Sequence, residues 1–115
     1  IAMLSRMPRA EAIAIIEESD LKAYTPSTTW RLPDIIDKLD LAASQGYAMT
    51  VEEVYFNDIS IASAIIGPNG EVQGAVSLGV SKLRYPPEQA AQSFSQLVVA
   101  TAQSMSMAGA PGGIR

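Results

Sequence analysis

The sequence predicts an α+β fold in which helices pack on an antiparallel sheet. Apolar residues recur at helical spacing in three segments. Two apolar runs flank a Pro-Asn-Gly turn in "SIASAIIGPNGEVQGAVSLGVS", residues 60–81, which reads as a β-hairpin. The order is two helices and a strand, then two strands and a helix.

The first helix is expected over about residues 8–19, with Pro8 near its start and Ala12, Ile15 and Ile16, joined by Met7, on one stripe. "DLKAYTPSTTW" has turn and β-branched residues without a helical period and reads as a loop. In "LPDIIDKLDLAASQGYA", Pro33 suits a first helical turn, Asp34 complements the positive end of the helix dipole, and Gly46 suits the stop. Ile35, Ile36, Leu39, Ala42 and Ala43 form its predicted buried face, while Asp34, Asp37, Lys38 and Asp40 form a solvated one. A strand near residues 47–50 leads into "VEEVYFND", and two long strands follow at about 58–66 and 71–81. The last helix runs from Pro86 or Pro87 to about Met107. Its predicted packing residues are Ala90, Phe94, Leu97, Val98, Thr101 and Met105, and Gly109, Pro111 and Gly112-Gly113 end it. Repeats and linker-like segments are absent.

An even-length hairpin loop, Asn69-Gly70 or Gly67–Gly70, segregates the side chains of the two long strands. Ser60, Ala62 and Ala64 then share a face with Ala75, Ser77 and Gly79. Ile59, Ile61 and Ile65 share the other with Val72, Val76, Leu78 and Val80. An odd loop would mix small and large residues on both faces. The apolar face is a core face. The small face has two readings: a helix lying close against the sheet, or a pocket wall with hydroxyls to orient a polar ligand.

Composition excludes much. At 115 residues, 48% hydrophobic and 17% charged, the chain can bury a core. It opens on Ile1 rather than Met, so a longer parent protein is expected. No apolar run approaches the roughly 18 residues of a membrane span, no signal-peptide pattern is present, and a cytoplasmic location is expected. Without cysteine or histidine, disulfides, thiolate nucleophiles, the commonest metal ligands and the usual general base are unavailable. A net charge of -4 argues against a grip on nucleic-acid phosphates.

Other candidate chemistry fails on spacing. Glu52 and Glu53 are adjacent, point to opposite sides of an extended segment, and read as a solvated pair. Asp37 and Asp40 have no basic or metal-binding company. Ser77 as a nucleophile lacks a base, and Lys82 falls at the other strand parity. "GPNGEVQG" joins two strands and is therefore a hairpin rather than a phosphate loop. Trp30 beside Arg31 reads as a half-buried packing Trp, with a stacking pair or an interface anchor as the alternatives. No enzyme activity, cofactor or metal is expected.

The order of "AYTPSTTWRLPDIIDKLDLAASQGYAMTVEEV", "IASAIIGPNGEVQGAVSLGVSKLRYPPEQ" and the closing "GGIR" resembles the effector-binding domain of IclR-type transcriptional regulators over nearly all 115 residues. The resemblance implies a GAF-like antiparallel sheet with flanking helices. Residues 1–115 would be the C-terminal portion of that domain, with a winged-helix DNA-binding domain outside this chain. It also implies a homo-oligomer, dimer or tetramer, that responds to a small metabolite effector, often a carboxylic acid. By matched position, Ser77 is the first Ser of the family's Ser-x-Ser strand, a ligand contact, and Gly79 stands where the second is usual. Ser60 replaces a pocket-lining Cys, Thr50 replaces an Asp, and Asp58 replaces an apolar wall residue. Ala62 and Ala75 complete the expected effector-binding set. A dimerisation domain with no ligand pocket is the competing expectation.

Overall fold

The structure, a computed structural model, describes residues 1–19 and 21–108. The expected glycine-rich helix stop and the "GGIR" end lie outside them. After a short 3-10 helix at Leu4–Arg6 come α1 (Arg9–Glu17), α2 (Leu32–Gln45), β1 (Ala48–Val51), β2 (Asp58–Ile66), β3 (Val72–Ser81) and α3 (Pro87–Ala108). The strands form one antiparallel sheet in the order β1-β2-β3.

Local chemistry sets the boundaries. Pro33 occupies the first turn of α2, and Gly46 ends the helix in the left-handed region at φ 88°, its N–H donating to the Ala42 carbonyl at 2.9 Å. The β2–β3 turn closes through Gly67 N–H to Glu71 O at 2.7 Å and Gly70 N–H to Gly67 O at 3.0 Å, with Gly70 at φ 83°. The even register holds from Asp58↔Ser81 to Ile65↔Gly74, then shifts at Ile66↔Val72, so one residue of β3, Gln73, is skipped beside the turn. The connection itself is therefore odd in length rather than the even loop expected, the bulge restores the even register, and Val72 pairs with Ile66 instead of joining the Ile59 and Ile61 rows.

That register puts Ile59 and Ile61, both fully buried, on the face covered by α3. They pack with Ala90 and Val98, and Met49, Val76, Leu78 and Phe94 are among the half-buried residues around them. Phe94 meets Tyr85 edge-on at 5.1 Å between ring centroids. Ser63, buried on the same face, donates its hydroxyl to the Gly46 carbonyl at 2.8 Å, which removes the cost of placing it there. A second cluster joins Ala12 and Ile16 of α1 to Ile35 and Leu39 of α2.

Several expected packing positions are corrected. Leu97, Thr101 and Met105 are exposed, because α3 buries the stripe Ala90, Phe94, Val98, Ala102 and Ser106, which repeats every four residues. Both stripes have helical spacing, and only the neighbouring sheet decides between them. Ile15 and Ala43 are likewise exposed and Ile36 only half-buried, since α1 and α2 meet along a narrow seam. The charged face of α2 is not simply solvated: Asp40 pairs with Arg9 and Lys38 with Glu53.

Candidate functional site

The face of the sheet turned away from α3 is built from rows across the strands. Thr50, Ser60 and Gly79 form one row and Ala48, Ala62 and Ser77 the next, with Asp58 opposite Ser81 at one end and Ala64 opposite Ala75 at the other. The residues expected at the site (Thr50, Asp58, Ser60, Ala62, Ala75, Ser77 and Gly79) therefore share one face. The Ser60 and Ser77 hydroxyls lie 3.2 Å apart, on neighbouring strands.

This face is covered on one side only. At the β1 edge, Ala48 packs with Ala2 and Ala42, and Ala62 adjoins them; here small side chains do let a helix approach. Over β3 no described residue gives such cover. Ala75, Ser77 and Gly79 are exposed, and a Cβ added to Gly79 would meet no atom within 4 Å. Close helix packing accounts for the small residues of β1 and part of β2, and leaves those of β3 unexplained.

The rim beside Thr50 is tied down by groups expected to be loop or solvent-facing. The Thr25 hydroxyl donates to the Glu52 carbonyl and the Thr28 hydroxyl to the Glu53 carbonyl. The Glu53 carboxylate accepts from Thr29 N–H at 2.9 Å and from the Lys38 ammonium, and Glu52 accepts from Lys82 at 3.1 Å. The two glutamates are therefore not a solvated pair, their side chains being only 16% and 15% exposed. They do serve different partners, Lys82 for Glu52 and Lys38 for Glu53, and the segment is not extended, with Glu52 in the left-handed region at φ 55°. The Thr-rich turn and the paired glutamates were visible signals, but nothing in the sequence says that they meet. Between α2 and β1 an open groove of about 220 Å³ runs past Ile1, Lys38, Leu41, Ala42 and Thr50. Arg31 lies over the Trp30 ring at 5.1 Å and Trp30 is 40% exposed, so the two form a surface stacking pair and Trp30 is not the half-buried packing residue expected.

Among the described residues no three His, Cys, Asp or Glu side chains group as metal ligands, and no helix is long and apolar enough to cross a membrane. Fold and face together define an α+β domain that offers a hydroxyl-bearing sheet surface.

Comparison with known proteins places this architecture. The family described as bacterial transcriptional regulator IclR, C-terminal, matches residues 2–107, and the chain belongs to it. The HTH-type transcriptional repressor AllR of Klebsiella pneumoniae is 33% identical over 107 residues, 93% of this chain and 39% of that protein. The chain thus spans about 39% of the length of the curated relatives it matches. Among solved structures, the C-terminal domain of the Escherichia coli transcriptional regulator KdgR superposes with a TM-score of 0.83 at 25% identity, covering 91% of this chain and 63% of that one. The inducer-binding domain of a double mutant of the Acinetobacter transcription factor PobR, in complex with 3-hydroxybenzoic acid, gives 0.82 at 25% identity, covering 91% and 62%. The relatives are regulators of transcription and not enzymes.

Proposed function

We propose that residues 1–115 are the C-terminal portion of an effector-sensing and oligomerisation domain in a cytoplasmic IclR-type regulator, whose DNA contact is made by a winged-helix domain outside this chain. The observation that carries the reading is the uncovered half of the small face, where Ser60 and Ser77 pair at 3.2 Å beside open space at Gly79. Hydroxyls and small side chains suit a pocket that holds a small metabolite by a few polar contacts. Thr50, Asp58, Ser60, Ala62, Ala75, Ser77 and Gly79 are its contact residues. A carboxylic acid is the effector class suggested by the 3-hydroxybenzoic acid in the PobR complex. Ligand-dependent thermal unfolding of the full-length regulator tests this. A site occupied at a hundred times Kd adds about 2.7 kcal/mol to stability. If no small metabolite stabilises the wild-type regulator, and Ser77→Leu leaves regulation intact, the face is not an effector site.

Self-association is part of the same reading and rests on α3. Leu97 and Met105 are 60% and 49% exposed, and no charged residue occurs from Gln89 to Ala108. On a chain of net charge -4, a charge-free helix face is where two copies meet with least repulsion. Sedimentation checks this: Leu97→Glu combined with Met105→Glu lowers the association state, and an unchanged state removes α3 from the interface.

A further inference from the structure

Resting on the reading of the small face as the effector site, we propose that Asp58 selects the effector by one feature: the preferred ligand presents an N–H, ammonium or hydroxyl donor to this carboxylate while an acceptor group sits over the serines. Asp58 lies two residues before Ser60 on β2, so the two side chains share a face and stand about 7 Å apart along the strand. The Thr50, Ser60 and Ser77 hydroxyls both donate and accept, and discriminate little between ligand acceptors and donors. A carboxylate only accepts. Donor selectivity on this face therefore comes from Asp58.

The surroundings leave that carboxylate uncommitted. It is exposed and takes no hydrogen bond or ion pair among the described residues. The cations of the neighbouring loops are engaged elsewhere: Lys82 pairs with Glu52 and Lys38 with Glu53. Arg84, three residues beyond β3, makes no ion pair with it. Ser81, directly opposite, accepts from Leu83 N–H at 3.2 Å through its hydroxyl. A ligand that turns a bare carboxylate toward Asp58 meets a like charge, whereas one that turns a donor toward it gains a charge-assisted hydrogen bond.

The test compares matched acids on the full-length regulator by calorimetry: propionate against 3-hydroxypropionate and β-alanine, and benzoate against 3-hydroxybenzoate. In the wild type the donor-bearing member of a pair binds about 10- to 100-fold tighter, the range for a hydrogen bond to a charged group. Asp58→Ala collapses that ratio toward unity, and its exposed side chain makes no hydrogen bond or ion pair among the described residues for the fold to lose. Ser77→Ala weakens both members of a pair and preserves the ratio. Equal wild-type affinities within the pairs, or a ratio that survives Asp58→Ala, overturn the role of Asp58 and leave the face as an effector site. If none of these acids binds, the inference is overturned, and the face is judged separately by the Ser77→Leu response.

Discussion

Replacing Ser77 with leucine separates an open pocket wall from a packing surface. Ser77 sits mid-strand on β3 opposite Ala62, is exposed, and neighbours Gly79, whose added Cβ would meet nothing within 4 Å. A leucine there projects into space that no described residue fills. The loss is confined to the exposed Ser60–Ser77 hydrogen bond, near the low end of about 0.5–1.5 kcal/mol. Surface substitutions otherwise stay within about 0.5 kcal/mol, so the total change is under about 1 kcal/mol. For a regulator of the relatives' size that is a Tm shift of no more than about 4 °C. Insertion into a packed interface would instead cost about 1–3 kcal/mol through forced rotamers and backbone shifts. The assay pairs urea unfolding of the full-length protein with promoter release by its effector. We expect near wild-type stability, intact DNA binding and no response to effector. A protein destabilised by about 2 kcal/mol or more that still responds normally when folded would refute the reasoning.

Other substitutions probe the parts that hold this face in place. Ile61→Ala, at a fully buried position under α3, costs about 2–5 kcal/mol in urea unfolding, and a loss below about 1 kcal/mol would mean that α3 does not cover the sheet. Glu53→Ala frees Thr29 N–H and Lys38 together and costs about 1–3 kcal/mol, with faster hydrogen exchange at Thr29 as its local signature. Gly46→Ala forces a side chain into the left-handed region at φ 88° and costs about 1–2 kcal/mol by thermal unfolding, the nearest contact, to Val99, being an ordinary 3.9 Å.

Patterns local in the chain were legible in the sequence, and patterns that need a second element were not. The three helices and three strands follow from spacing, prolines and glycines: β2 spans Asp58–Ile66 as expected, and β1 and α3 fall within one or two residues of expectation. The hairpin register was readable from Asp58 to Ile65 because a side-chain period of two leaves one pairing that separates isoleucine and valine from serine and alanine, whereas the odd turn and the bulge at Gln73 that compensates for it were not. The same parity rule grouped Ser60, Ala62, Ala75, Ser77 and Gly79 on one face, while Thr50 and Asp58 joined the set only through the family resemblance. Which stripe of α3 is buried was not readable, since Leu97, Thr101 and Met105 repeat at the same interval as Phe94, Val98 and Ala102. Nor could sequence join Thr25, Thr28 and Lys38 to Glu52 and Glu53, 15 to 27 residues away, because hydrogen bonds between distant segments leave no period. Sequence alone made the small face. Tertiary structure divided it, closing it at β1 where Ala42 meets Ala48 and leaving it open at Ser77, because α2 packs along one edge of the sheet while α3 takes the apolar side.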